Sequence, residues 1–233
     1  MWIELTVAGI AGIAVLYIFW PWMVKTSLRK KFLRVASKSS GICLTFDDGP
    51  DPVFTPTVLD MLAKSNAKAT FFPIGKNVER YPDLMKRIVK EGHELGEHGY
   101  THKHPWVTGP YGTWLDVWRG GHQLATYARN GAITLFRPPY GKLNLVSMLY
   151  IFLNRKIAVF WNLDPKDYRL SSENTTPLSI QEQVSNGTVI LFHDGRCGIA
   201  KSGHETTLKV LELVLESARN KGLKPITINE LYA

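Results

Sequence analysis

The stretch Ile42-Cys-Leu-Thr-Phe-Asp-Asp-Gly-Pro50 decides how this chain is read, because an apolar β-rich run ends there in two carboxylates and a Gly-Pro turn. Working outward, six more runs of that kind recur, at 69–74 (ATFFPI), 93–97 (HELGE), 133–136 (ITLF), 157–161 (IAVFW), 188–192 (TVILF) and 225–228 (PITI). Amphipathic stretches lie between most of them. The clearest are 56–65, with Pro56 in its first turn, 82–92, closed by Gly92, and 205–222, closed by Gly222. Such alternation implies a parallel sheet, either doubly wound or closed. The polar residues choose between the two. Asp47 and Asp48 follow the first run, His98 the third, Arg137 the fourth, Asp164 and Asp167 the fifth, and His193 the sixth. A doubly wound sheet gathers its site at one switch point, whereas a barrel draws on many strand ends around one mouth. The expected fold is therefore α/β, an irregular (β/α) barrel of seven or eight strands.

With 45% hydrophobic and 21% charged residues, the 233-residue chain has the composition of one ordinary globular domain. Two cysteines, Cys43 and Cys197, exclude a disulfide framework and read as unpaired thiols. The net charge of +8 is unevenly placed: residues 1–38 carry six Lys and Arg against Glu4 alone. That excess reads as a membrane-proximal collar, with no nucleic-acid motif to suggest another partner. Upstream of it, Leu5 to Met23 is uncharged over 19 residues, with Tyr17, Trp20 and Trp22 toward one end. This length suffices to cross the hydrocarbon core. A cleaved signal peptide expects basic residues before the apolar run and a small-residue site after it, where this chain has Glu4 and Trp20-Pro21-Trp22. The expected organisation is a transmembrane anchor over 1–24, a basic linker over 25–40 and a catalytic domain over 41–233. The chain is then single-pass in the cell membrane, and the positive-inside rule puts the domain in the cytoplasm.

His98 and His102 stand at i and i+4, so one helical turn would aim both imidazoles to one side, and a carboxylate would complete an open metal site. A zinc protease would need Glu after the first histidine, where this chain has Gly99. His93, His104, His122 and His204 read as ordinary surface or hydrogen-bonded histidines. In 45–50, adjacent carboxylates could divide labour between metal ligand and free base, or simply shape a turn. Spacing leaves both readings open. The apolar run 143–154 reads as a buried barrel helix, with a lipid contact as the lesser reading, and is too short to span a bilayer.

Five motifs in order, across roughly residues 41 to 195, resemble those of the polysaccharide deacetylase family, carbohydrate esterase family 4. The resemblance implies that Thr45-Phe-Asp-Asp-Gly-Pro50 supplies a general base, Asp47, and a metal ligand, Asp48. His98-Gly-Tyr-Thr-His102 would supply two histidine ligands, and Arg137-Pro-Pro-Tyr140 an arginine that orients the base and a tyrosine N–H for the oxyanion. Asp164-Pro-Lys-Asp167-Tyr168 would tune the acid histidine through Asp167, with Tyr168 at the substrate. Leu191-Phe-His193 would line the acyl pocket with Leu191 and supply the general acid, His193. The family also implies an irregular (β/α) barrel and one divalent metal ion, Zn foremost, with Co, Mn or Ni as alternatives. Two departures stand out. Gly99 replaces the usual Ser or Thr, which removes a loop hydrogen bond, and Tyr168 replaces the usual Trp.

The activity so implied is hydrolytic removal of an N-acyl group, acetyl foremost, from an amino sugar of a polysaccharide or glycoconjugate. Family habit places such an enzyme outside the cell, against the charge argument. A cytoplasmic domain would instead deacetylate or deformylate a lipid-linked amino sugar. From a different class, a catalytically inactive membrane-anchored sugar-binding protein is the remaining alternative.

Overall fold

Strand β1 (Gly41–Asp47) is buried along its whole length and organises the rest. In the computed structural model, which describes residues 9, 12, 14–128, 133–166, 177–195 and 203–233, it has a parallel neighbour on each edge. On one side β6 (Val189–His193) pairs with it in the register Thr45 to Leu191 and Asp47 to His193. The other edge is divided. β7 (Lys224–Ile226) takes Gly41 to Cys43, and β2 (Thr70–Phe72) takes Thr45 to Asp47. Beyond β2 lies β3 (Glu94–Leu95), and β4 (Leu135–Phe136) pairs with β5 (Ile157–Ala158). Single parallel bridges, Glu97 to Phe136 and Leu163 to Ile190, join the two sheets into a closed ring. Among the described residues the barrel thus has six strands in its circuit, against the seven or eight expected, and a seventh wedged beside the foot of β1 makes it irregular. All seven expected runs contain a strand, several of them only two or three residues long.

Because side chains alternate along a strand, β1 feeds two cores. Ile42, Leu44 and Phe46 pack with the helices α2 (Phe54–Lys64), α4 (Pro82–Lys90) and α8 (Gly203–Asn220). Cys43 lies on the opposite face, grouped with Phe72, Phe136 and Phe160. Thr45 and Asp47 share that face by alternation. Helix α3 (Gly75–Arg80) precedes α4, and α5 (Pro110–Ala125), α6 (Leu145–Leu153) and α7 (Pro177–Gln183) complete the layer. Local chemistry sets their ends. Pro82 and Pro110 open α4 and α5, and Asn144 caps α6 in a reciprocal box with Ser147.

Three expectations need correction. Residues 25–36, read as a linker, belong to helix α1 (Trp20–Ala36), which continues from a π-helical turn at Val15–Phe19. A linker would expose its apolar residues, whereas Phe32 and Ala36 are buried and Phe32 packs edge-on against Phe160, 6.4 Å between centroids. The expected membrane span is likewise partly docked on the domain, since the Tyr17 hydroxyl donates to the Thr108 carbonyl at 2.7 Å and accepts from Asn144 Nδ2 at 2.8 Å. Among the described residues no helix is long and apolar enough to cross a membrane; most of residues 1–13 lie outside them. Finally, α6 is only half core: Ser147, Met148 and Ile151 are buried, but Leu149, Phe152 and Leu153 are exposed.

Candidate metal and catalytic centre

At the C-terminal end of β1 the chain delivers Asp47 into the barrel. Its Oδ1 accepts a hydrogen bond from Arg137 Nη1 at 2.7 Å, and the same nitrogen donates to Thr45 Oγ1 at 2.8 Å. Arg137 is fully buried, with its guanidinium carbon 4.2 Å from the centre of the Phe72 ring. Burial lowers its pKa and the Asp47 charge opposes that shift. A buried charge needs such a partner, so the pair holds the Asp47 carboxylate in one orientation.

Asp48 then turns away from its neighbour. Its backbone is left-handed, φ +72°, and its carbonyl accepts from Asn77 Nδ2 at 2.9 Å. Two adjacent residues of a strand would normally point to opposite faces, and this turn brings both carboxylates to one mouth. The reversal lies outside what hydrophobic periodicity encodes.

The histidines arrive from β3. Expected on a helical turn, they sit on a loop with left-handed residues at Gly99, φ +77°, and His102, φ +57°. Asp116 of α5 holds this loop, accepting from the backbone N–H of Thr101 at 2.9 Å and of Tyr100 at 3.2 Å, and from Thr101 Oγ1 at 2.6 Å. A Cβ on Gly99 would stand 2.4 Å from Asp116 Oδ2. The missing hydroxyl at position 99 is therefore matched by a carboxylate from another element. Asp116 is not legible in the sequence because a carboxylate inside an amphipathic helix looks like any solvated one, and its partners lie 15 and 16 residues away.

His98 Nδ1 lies 2.7 Å from the Arg137 carbonyl, which can only accept, so Nδ1 carries the proton and Nε2 presents its lone pair. That Nε2 lies 3.6 Å from both Asp47 Oδ2 and Asp48 Oδ1, and His102 Nε2 is 3.5 Å from Asp48 Oδ1. These separations exceed hydrogen-bond length. Donor atoms of Asp48, His98 and His102 all fall within 4.8 Å of one another. Desolvation lowers the pKa of both histidines to about 3, so both imidazoles are neutral at pH 7. One carboxylate and two neutral imidazoles, one locked by a backbone carbonyl, form a donor set that fits a divalent metal with positions left open.

Around this group stand the remaining residues. His193, half-buried at the end of β6, pairs in register with Asp47, and Leu191 lies two residues earlier on the same face, buried. The next residue, Asp194, is wholly buried; its N–H donates to the Asp47 carbonyl at 3.1 Å, and its Oδ2 accepts from Thr55 Oγ1 at 2.6 Å. Burial pushes its carboxyl up to about 7. The Tyr140 backbone is left-handed, φ +57°, and its ring lies against His102 and His104, 4.5 and 4.8 Å between centroids. Asp164 closes a turn by accepting from Lys166 N at 2.8 Å. Asp167 and Tyr168, expected at the acid and the substrate, lie outside the described residues.

Comparison with known proteins agrees with this geometry. A model of the polysaccharide deacetylase family matches residues 34–151. A peptidoglycan-N-acetylglucosamine deacetylase of Bacillus cereus is 32% identical over 196 residues, covering 82% of this chain and 87% of that protein. The corresponding deacetylase PgdA of Listeria monocytogenes is also 32% identical, over 84% of this chain but 40% of its own length. Among solved structures, a peptidoglycan N-acetylglucosamine deacetylase superposes with a TM-score of 0.74 at 29% identity, covering 84% of this chain and 89% of the other.

Proposed function

The chain belongs to the polysaccharide deacetylase family, and from that premise we propose that it hydrolyses the N-acetyl group of an amino sugar in a glycan of the peptidoglycan or chitin type. The observation that carries this reading is the grouping of Asp48, His98 and His102 beside an Asp47 already oriented by Arg137. A divalent metal held by the three ligands would supply Lewis acidity, polarising the amide carbonyl and acidifying water.

The chain's own residues do the rest. Asp47, fixed by Arg137, takes the proton of the attacking water. The Tyr140 N–H donates to the oxygen that gains charge, an interaction worth about 3 kcal/mol per donor in comparable sites. Leu191 offers the methyl group an apolar wall. His193 protonates the departing amine, so that an amino sugar and acetate leave. The family resemblance assigns Asp167 to keeping that imidazole charged and Tyr168 to the sugar. The complete set of reactive side chains favours this reading over an inactive sugar-binding protein.

Acetate release from N-acetylated chito-oligosaccharides and from peptidoglycan fragments tests the proposal. Turnover that disappears with a chelator and returns with Zn, Co, Mn or Ni is the expected result. Metal-loaded chain that releases acetate from neither substrate sinks it.

A further inference from the structure

Among the described residues, many of the exposed apolar side chains gather in one place, although Leu149, Phe152 and Leu153 of α6 and Val53 lie apart from it. Val107 is 82% exposed, Tyr111 73%, Leu16 64% and Trp20 55%, and Val15, Phe19, Trp22 and Met23 are exposed as well. Their place in the fold follows from chain direction. Helix α1 ends at Ala36 and β1 begins at Gly41, so the helix runs antiparallel to the strand. Its C-terminal end sits at the barrel's foot, where the Ala36 carbonyl abuts Gly187, just before β6. Seven residues of strand at about 3.3 Å each cover the distance of about fifteen residues of helix at about 1.5 Å each. Counted back from Ala36, the residue level with Asp47 is near Pro21 or Trp22.

Side-chain contacts support that count. Arg29 Nη2 donates to the carbonyl of Trp161 at 3.2 Å, beyond the end of β5, and Tyr17 bonds to Thr108 and Asn144 in the loops above β3 and β4. Val15 to Trp20 therefore stand at the mouth of the barrel. Val107 belongs to the turn at His104–Thr108, whose His104 ring lies against Tyr140 over the site, and Tyr111 opens α5 directly after it. The hydroxyl of Tyr17 joins the two groups into one rim.

We infer that this rim rests on a lipid bilayer and that the catalytic mouth opens toward the membrane surface. Two observations select lipid as the occupant. The chain upstream of Ala14 joins the rim at this end, and Leu5 to Met23 contains no charge. Trp20, Trp22 and Tyr111 are side chains suited to the level of the headgroups. Contact of this kind needs no crossing helix.

The test reads depth directly and does not depend on the deacetylase reading. The full chain carries Cys197→Ser, leaving Cys43 buried and unreactive, and a nitroxide is attached in turn at position 107, at 111 and, as the foot control, at 224. The chain is reconstituted in vesicles of phosphatidylethanolamine and phosphatidylglycerol. Collision rates with oxygen and with a nickel chelate are compared. The expected oxygen-to-nickel ratio at 107 and 111 is several-fold above that at 224, and Leu16→Glu with Trp20→Glu returns it to the foot value without changing hydrolysis of a soluble substrate. Equal ratios at all three positions, or failure of the chain to float with the vesicles, overturn the inference. Spin–spin broadening at 107 that vanishes on dilution with unlabelled chain overturns it too, by assigning the rim to a second copy.

Discussion

The two halves of the site are held by different means. Asp47 and His193 stand side by side at the ends of β1 and β6, which stay in register over five consecutive pairs. His98 and His102 lie past the end of a two-residue strand, on a loop that side chains must hold. A paired strand fixes its end through backbone bonds that almost any sequence can make. A loop with two left-handed residues depends on particular partners, here Asp116 beneath it and the Arg137 carbonyl behind His98. On the proposed reading, proton transfer falls to the rigid half, and two of the three metal ligands to the half most easily disturbed by a single substitution.

The largest expected effect separates these halves by chemistry. Asp47→Asn keeps the fold and the ligand set but removes the base, so turnover falls by about 10²–10⁴-fold while bound metal stays near one equivalent. His98→Ala should lose metal and turnover together. Metal content by atomic spectroscopy beside acetate release distinguishes them, and an active Asp47→Asn variant would contradict the assignment of the base.

A smaller effect is expected at the loop's support. Asp116→Ala removes three hydrogen bonds to residues 100 and 101 without touching a ligand. Metal affinity should weaken by about 10–100-fold, the usual consequence of losing a group that orients a ligand. Turnover at saturating metal should largely recover. Asn at the same position, which keeps an acceptor, should restore part of the affinity; unchanged affinity in Asp116→Ala would mean that the loop holds itself.

This division also explains what was legible in the sequence. Asp47 and His193 lie at the strand ends where the sequence puts them, because a strand and its C-terminal end are visible as an apolar run followed by a polar residue. The two histidines were found from their spacing, but on the wrong element, since left-handed backbone at Gly99 and His102 mimics the reach of a helical turn. Asp116, Asn77 and Asp194 were not found. Each acts through tertiary contact, and a carboxylate in an amphipathic helix looks like any solvated one. The N-terminal boundary failed for a related reason: six cations marked residues 25–38 as solvent-facing, and only the docking of Phe32 against Phe160 shows that α1 has an inner face.

The smallest effect sharpens the comparison through pH. In metal-free protein, burial holds His98 and His102 at about 3 and His93 at about 4, so all three stay neutral in the fold while the unfolded chain protonates below about 6.5. Their contribution to stability is present above that value and is lost as pH falls toward 3. Asp194, at the strand-held end, runs the other way. Its folded pKa is raised to about 7, so its contribution is present below the unfolded value of 3.8 and is lost as pH rises toward 7. Between pH 4.5 and 6.5 the three histidines oppose Asp194, and Glu94 and Glu97, whose carboxyls burial also raises, act on its side. Replacing Asp194 by Asn removes one opposing group, so the urea midpoint should fall more steeply from pH 7 to 5 in that variant than in the parent. Parallel midpoints in parent and variant over this range would show that burial does not raise the Asp194 carboxyl, and the opposed titration of the two halves of the site would fail with it.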